Sequence, residues 1–244
     1  MKKVIIIPAR LDSSRLPKKV LLDLKGKTVI QRVYEQCLKV KNVDEVYVAT
    51  DSLEIKEVCE TFTNQVIITK STHQSGTDRI GEAISDIACD IVINVQGDEP
   101  LIEPELIDSL IQTLKDQPEV PMVTAATPFK ITEDINDSNM VKVAINQLGK
   151  ALYFSRSPIP FTRQFPEGLV HYRHLGIYGY QRELLMQWNQ LKPSLLEQAE
   201  QLEQLRALDN GVDIAISITE STHPGIDTLE QAQALEEWII ANNA

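Results

Sequence analysis

The stretch Val4-Ile-Ile-Ile-Pro-Ala-Arg-Leu-Asp-Ser-Ser-Arg-Leu-Pro-Lys-Lys19 carries the reading of the fold. Its opening run is apolar and β-branched and is closed by Pro8, so Val4–Ile7 reads as a strand buried on both faces. Similar runs at Val46–Thr50, Val66–Thr69 and Ile91–Val95 read the same way. Between them, apolar residues recur at helical spacing over Val29–Val40, Leu53–Phe62, Asp78–Ala88 and Glu105–Leu114. Strands that alternate with helices imply α/β architecture: a largely parallel sheet with helices on both faces. Ligands of such sheets bind beyond the carboxyl ends of the strands. The loops that follow strands are therefore where chemistry is expected.

After about residue 120 the rhythm changes. Met122–Phe129, Val141–Ile145, Ala151–Phe154 and Gly176–Tyr180 read as strands without a helix in each gap, which predicts a mixed, partly antiparallel second half. Glu197–Leu208, Ile214–Ile218 and Thr228–Ala241 close the chain. No repeat or linker separates the halves, so residues 1–244 read as a single domain.

With 244 residues, 43% hydrophobic and 24% charged, the composition is that of an ordinary globular protein. Such a chain buries roughly three quarters of its unfolded surface and needs no disulfide or metal staple. Cys37, Cys59 and Cys89 form no CxxC pair, which argues against zinc and dithiol chemistry and fits a reducing cytoplasm. The net charge of −11 at pH 7 argues against non-specific nucleic-acid binding. Met1–Ile7 imitates a secretory signal, but its apolar run is short and is closed by Pro8 and Arg10 without a cleavage site. No run approaches the length of a membrane span.

On so acidic a chain, the loop after Val4–Ile7 stands out, with Arg10, Arg15, Lys18 and Lys19 beside Ser13 and Ser14. Arginines clamp phosphate oxygens bidentately and lysines supply point charges, which suits a triphosphate. The alternative is a solvated basic loop. It lacks the glycines of GxxxxGK[ST] and of GxGxxG, so a nicotinamide-dependent dehydrogenase is disfavoured. Asn94-Val-Gln-Gly-Asp-Glu-Pro-Leu101 follows the Ile91–Val95 strand. There Gly97 permits close backbone approach to a ligand, and Asp98 offers Mg2+ a carboxylate or else caps a turn. Asp227 precedes the final helix and reads as a helix cap, a role for which Thr228 competes.

Ser75-Gly-Thr-Asp-Arg79 opens a helix and either caps it or reads a base edge; His73 beside it reads as an ordinary loop histidine. Arg156 follows a strand and sits in a stretch stiffened by Pro158 and Pro160, suited to a carboxylate ligand or an internal ion pair. His171 and His174 lack a third ligand for a metal. Glu203 and Gln204 flank the buried stripe of Leu202, Leu205 and Leu208 and read as solvated.

In order along the chain stand IPARLDSSRLPKK, ATDS, HQSGTDR, NVQGDEPLI, ALYFSRSPIP, HLGIYGY, LEQLRALDNG and GIDT. Each is modest alone; together they make the sequence resemble, nearly end to end, the 3-deoxy-manno-octulosonate (Kdo) cytidylyltransferases. The resemblance implies a Rossmann-like nucleotidyltransferase fold, a mostly parallel mixed sheet in an α/β/α sandwich. It implies a cytoplasmic homodimer, with residues 120–190 approximately a sugar-binding and dimerisation subregion, and CMP-Kdo synthesis for bacterial lipopolysaccharide. It also implies roles. Arg10 and Lys19 would neutralise the triphosphate of CTP, assisted by Ser13, Ser14 and Arg15, while Asp98 and Asp227 hold Mg2+. Ser75, Gly76, Arg79 and Gln96, with backbone from Ala9 to Leu11, would form the nucleotide pocket, and Asp98 would also contact CTP. Gln96, Arg156, His174, Tyr178, Glu203 and Gln204 would surround the acidic sugar.

The sequence departs from that family's usual pattern at four points. Lys18 replaces the glycine and Val20 the proline of the first loop, Ser52 replaces the second acid of ATDD, and Leu229 replaces a proline. None falls on the expected metal pair. HLGIYGY and LEQLRAL favour Kdo over sialic acid as substrate, while 8-amino-Kdo and a catalytically idle nucleotide-binding protein of the same fold stay open as alternatives.

Overall fold

The computed structural model describes residues 1–11, 16–73, 75–220, 225–226 and 228–242. Two compact units are formed, one by Met1–Asp108 with His223–Ala244 and one by Ser109–Thr222.

The first unit is built on four parallel strands in the order β3-β2-β1-β4: β1 (Lys3–Ala9), β2 (Glu45–Thr50), β3 (Val66–Ile68) and β4 (Ile91–Asn94). Ile5 of β1 pairs with Val46 on one side and Ile93 on the other. Val4 to Ile7 are fully buried, as a central strand covered on both faces requires. The chain winds from β1 through β2 to β3, then returns across β1 to form β4. The crevice between the ends of β1 and β4 is therefore the switch point at which open α/β sheets bind ligands.

The helices follow their sequence periodicity. Helix α1 (Val29–Cys37) is capped by Thr28, whose hydroxyl accepts from the Gln31 amide, and buries Val29, Ile30, Val33, Tyr34 and Cys37. Ser52 caps α2 (Leu53–Cys59) and accepts from Ile55 N at 3.2 Å. Serine and aspartate are comparable caps, so Ser52 does the work expected of an acid there. Helix α3 (Gly76–Ala83) starts two residues before its periodicity predicts, because Ser75 caps it, and it ends early at Ile84. Thr228 and Gln231 cap α8 (Leu229–Asn242) reciprocally: Gln231 N donates to Thr228 Oγ1 at 3.3 Å, and Thr228 N to Gln231 Oε1 at 3.0 Å. Ala232 and Ile239 then pack on Leu24, Val29 and Ile226. Leu229 stands at the first helical position, where proline is an option and not a requirement.

Helix α4 (Pro104–Asp116) carries the chain into the second unit. There β5 (Met122–Pro128) lies between β8 (Tyr172–Gln181), antiparallel to it, and β9 (Ile214–Ile218), parallel to it. A hairpin of β6 (Lys142–Ile145) and β7 (Ala151–Ser155) extends β8 through β6. The mixed pairing expected past residue 120 is present. Strand β8 begins four residues earlier than its apolar run suggests, since Tyr172 and Arg173 are held by pairing to β5 and β6. The segment read as one helix over Glu197–Leu208 is two, α6 (Leu195–Glu200) and α7 (Gln204–Asp209), separated by Gln201 in the left-handed region at φ 52°. Helix α5 (Arg182–Gln187), not anticipated, follows β8 directly.

Gly97 is a tight backbone position of the first unit. A Cβ there would lie 3.0 Å from the Pro8 carbonyl oxygen and 3.3 Å from Ile30 Cδ1. The close approach that its sequence suggested toward a ligand is, in the fold, an approach to β1. Gly97→Ala is expected to destabilise the protein by about 1–3 kcal/mol, through overpacking against backbone that cannot yield. Urea unfolding checks this, and an unchanged midpoint would show that the loop relaxes freely.

Candidate active site

A cleft of about 100 Å³ opens beyond β1 and is lined by Ala9, Arg10, Ser75, Gly76, Arg79 and Gln96, joined by Pro8 and His73. The first six are residues expected in the nucleotide pocket. Arg10 leaves the end of β1 and is exposed, and Leu11 gives its carbonyl to Lys18 N at 3.2 Å, closing the base of the loop. Ser13, Ser14 and Arg15, expected at the triphosphate, lie outside the described residues. Gln96 donates to Asn94 Oδ1 at 3.2 Å. Ser75 accepts from Asp78 N at 3.1 Å, so the expected capping role is in place alongside its position in the cleft.

Arg79 is 5% exposed and held at two points. One nitrogen donates to Thr69 Oγ1 at 2.5 Å and another pairs with Asp51 at 3.1 Å. It thus ties the residues following β2 and β3 to α3 and forms the wall of the cleft as a braced strut. Its partner Asp51, the acid of ATDS, has no signal in the sequence beyond its place after a strand.

Lys19 Nζ donates to Asp98 Oδ2 in a close ion pair. The first basic loop and the loop after β4 therefore meet, as their positions beyond adjacent strands require. Beside them, burial and then the Asp98 charge push the Glu99 carboxyl up to about 8, against the opposing pull of Lys19. That shift favours the neutral form of Glu99 beside the Asp98 carboxylate. Ile226 N donates to the Asp98 carbonyl at 2.8 Å, and a Cβ on Gly225 would lie 3.2 Å from that same oxygen. Gly225 and Ile226 are thereby docked on QGDEP, a contact that spacing cannot reveal; Asp227 lies outside the described residues.

Lys18 holds a left-handed backbone, φ 56° and ψ 25°, and its ammonium contacts both oxygens of Glu54 at 2.7 and 2.8 Å. That backbone accounts for glycine as the family's usual residue here. Burial pushes the Cys37 and Cys59 thiols up, to about 12 for Cys59, which leaves them unreactive as nucleophiles.

The residues expected around the sugar, apart from Gln96, lie in the second unit. His174 and Tyr178 are four apart in one strand, a separation of about 13 Å when extended. An irregularity between Thr124 and Ala125, opposite Tyr178 and Leu175, brings their ring centroids to 5.5 Å. Tyr178 donates to Gln204 Oε1 at 3.2 Å, whereas Gln204, 3% exposed, has no partner for Nε2 among the described residues. Glu203 and Gln204 were read from spacing as solvated; Gln204 is instead buried, because the break at Gln201 re-aims α7. Among the described residues Arg156 makes no side-chain ion pair of the kind considered from sequence. Its guanidinium donates to the carbonyls of Glu200 (2.7 Å), Ser138 (2.9 Å) and Gln201 (3.4 Å). The Glu200 carboxylate accepts from Ser155 Oγ and the Arg156 amide.

These features define a nucleotide-binding α/β protein, with a cation-bearing loop and an acidic turn facing one another at the switch point of a parallel sheet. The chain belongs to the cytidylyltransferase family, whose model matches residues 4–214. It is 45% identical to a 3-deoxy-manno-octulosonate cytidylyltransferase of Escherichia coli, covering 100% of this chain and 99% of that one. It is 46% identical to the protein of the same name from Chlorobium limicola, covering 98% of each. Among solved structures, CMP:2-keto-3-deoxy-manno-octonic acid synthetase complexed with CTP superposes with a TM-score of 0.95 at 42% identity, covering 99% of this chain and 100% of that one.

Burial lowers the His174 imidazole from 6.5 to about 3, and Thr124 Oγ1 lies 3.0 Å from its Nε2. The folded protein therefore refuses a proton that the unfolded chain accepts below about pH 6.5. The corresponding stability is complete above that pH and is lost as the pH falls toward the folded value, at up to about 1.4 kcal/mol per pH unit. His174→Gln is expected to flatten this acid limb in unfolding experiments between about pH 6.5 and 4. A slope equal to that of the wild type would show that His174 titrates normally.

Proposed function

We infer that this protein transfers CMP from CTP to the anomeric hydroxyl of Kdo, giving CMP-Kdo and pyrophosphate. The observation that carries the reading is the meeting of Lys19 and Asp98 beside Arg10 at the switch point, in a chain related end to end to proteins named for that reaction. In the step itself the anomeric oxygen bonds to the α-phosphorus and the bond from that phosphorus to the bridging oxygen breaks. Pyrophosphate carries away the electron pair, and the hydroxyl proton passes to water. Such a transfer is served by positioning and charge stabilisation. Arg10 and Lys19, with Ser13, Ser14 and Arg15, would take up the charge that builds on the leaving pyrophosphate.

Asp98 fits a role in holding Mg2+: it is a hard oxygen donor and partly exposed, beside a Glu99 carboxyl that burial pushes up. Asp227 would supply the second carboxylate, since Thr228 already meets the capping need of α8. The ion would neutralise phosphate charge and raise the electrophilicity of the α-phosphorus. Ala9 to Leu11, Ser75, Gly76 and Arg79 would hold the nucleoside, with Gln96 between nucleotide and sugar. Arg156, held against neutral carbonyls, keeps its charge for the sugar carboxylate. His174, Tyr178, Glu203 and Gln204 would pair the hydroxyls, and Gln204 has a buried donor to offer.

The same reading makes the protein a cytoplasmic homodimer that supplies bacterial lipopolysaccharide synthesis, with residues 120–190 in sugar binding and dimerisation. Exposed Leu148, Leu152, Phe161, Phe165 and Val170 of the second unit support a second copy as the partner. Pyrophosphate release with CTP and Mg2+, measured separately with Kdo, 8-amino-Kdo and a sialic acid, is expected with Kdo. Release with the amino sugar alone would move the substrate, and none with any acid would overturn the enzyme reading. Asp98→Asn and Asp227→Asn are each expected to lower turnover at least about a hundredfold with unchanged thermal unfolding. Wild-type rates in either variant would remove that residue from the site.

A further inference from the structure

Of the polar side chains around the cleft beyond β1, His73 is the one without an expected role, and its surroundings fix what it offers. Its Nε2 contacts the Glu82 carboxylate closely, and the same Glu82 oxygen accepts from the Lys70 amide at 3.0 Å. Burial raises the Glu82 carboxyl, but the contacts from His73 and Lys70 outweigh it, so Glu82 lies below its ordinary range and is ionised. An ionised carboxylate only accepts, so Nε2 must carry the proton. In the neutral ring Nδ1 is then an acceptor, as carboxylate partners of histidine generally determine. No described residue hydrogen-bonds Nδ1, and the side chain, 16% exposed, lines the cleft with Arg10, Ser75, Gly76 and Gln96.

We propose that His73, held in this tautomer by Glu82, is a specificity residue that reads the pyrimidine of the nucleotide. An acceptor in the pocket complements the exocyclic amino group of cytosine and opposes the carbonyl oxygen that uracil carries at the same position. An acceptor facing an acceptor leaves two desolvated groups unpaired, and discrimination of this kind is larger than a missing contact gives. Among the other cleft side chains, Arg10 and Arg79 are donors, Ser75 accepts from the Asp78 amide, and Gln96, which donates Nε2 to Asn94 Oδ1, is the other one with an amide acceptor to offer. The inference rests on the reading of this cleft as the nucleotide site.

The test is direct binding of CTP and UTP to the full-length protein, with pyrophosphate release alongside. The wild type is expected to prefer CTP. His73→Ala should reduce that preference about tenfold or more, through weaker CTP binding and higher KM with kcat little changed and UTP binding equal or better. His73→Gln, whose amide oxygen can accept, should restore part of the preference. Nitrogen NMR of the wild type should find His73 protonated at Nε2 and bare at Nδ1. An unchanged CTP-to-UTP ratio in His73→Ala, an equal weakening of both nucleotides, or a proton on Nδ1 would overturn the proposal. A wild-type protein that binds neither nucleotide would overturn the reading of the cleft and this inference with it, whereas CTP binding without pyrophosphate release would fault only the enzyme reading.

Discussion

A close backbone approach, Gly97 against the Pro8 carbonyl, sets the geometry at the ends of β1 and β4. Because the turn after β4 can settle on the end of β1, its next residue, Asp98, comes within reach of Lys19. The Asp98 carbonyl is then free to receive Ile226 N, which docks the segment before α8. Ile30 of α1 packs against the same turn from below. One close approach thus collects three segments that lie far apart in sequence. Each further contact depends on a rigid sheet, because neighbouring strands fix where the loops begin.

Three cations of this region are paired before any ligand arrives. Lys19 is matched by Asp98, Lys18 by Glu54 and Arg79 by Asp51. On a chain of net charge −11 such pairing is the expected resting arrangement, since a cluster of cations left alone would repel itself. The pairs differ in what can be exchanged. Arg79 is buried and held at two points, so removing either partner would strand a charge. Lys19 and Asp98 are partly exposed, and a polyphosphate with a cation can replace each one's partner.

The sequence made the parallel half legible because its strands are continuous apolar runs and its helices carry clear caps at Thr28, Ser52 and Ser75. The cation loop and Asp98 were found by the rule that ligands sit beyond strand ends. What stayed hidden needs tertiary geometry. The approach of His174 to Tyr178 depends on a strand irregularity, and the burial of Gln204 depends on a left-handed residue, Gln201, that has no composition signal. His73 looked ordinary because its partner Glu82 is nine residues on, and only folding of α3 brings them together. Family resemblance supplied roles for Gln204 and its neighbours that periodicity had assigned to solvent.

Lys18 shows how a departure from a family pattern can be read physically. A non-glycine residue in the left-handed region costs about 1–2 kcal/mol. The pair with Glu54 is about half exposed on both sides, 58% and 47%, and contributes at most about 1 kcal/mol. Glycine, on the other hand, loses more chain entropy on folding, by roughly 0.4–1 kcal/mol. The three terms nearly cancel, so stability alone does not choose between lysine and glycine at this hinge. The substitution redistributes constraint instead: it removes freedom from the loop that carries Arg10 and ties its base to the first turn of α2. The ammonium is directed to Glu54, and Lys18 is not among the residues that line the cleft.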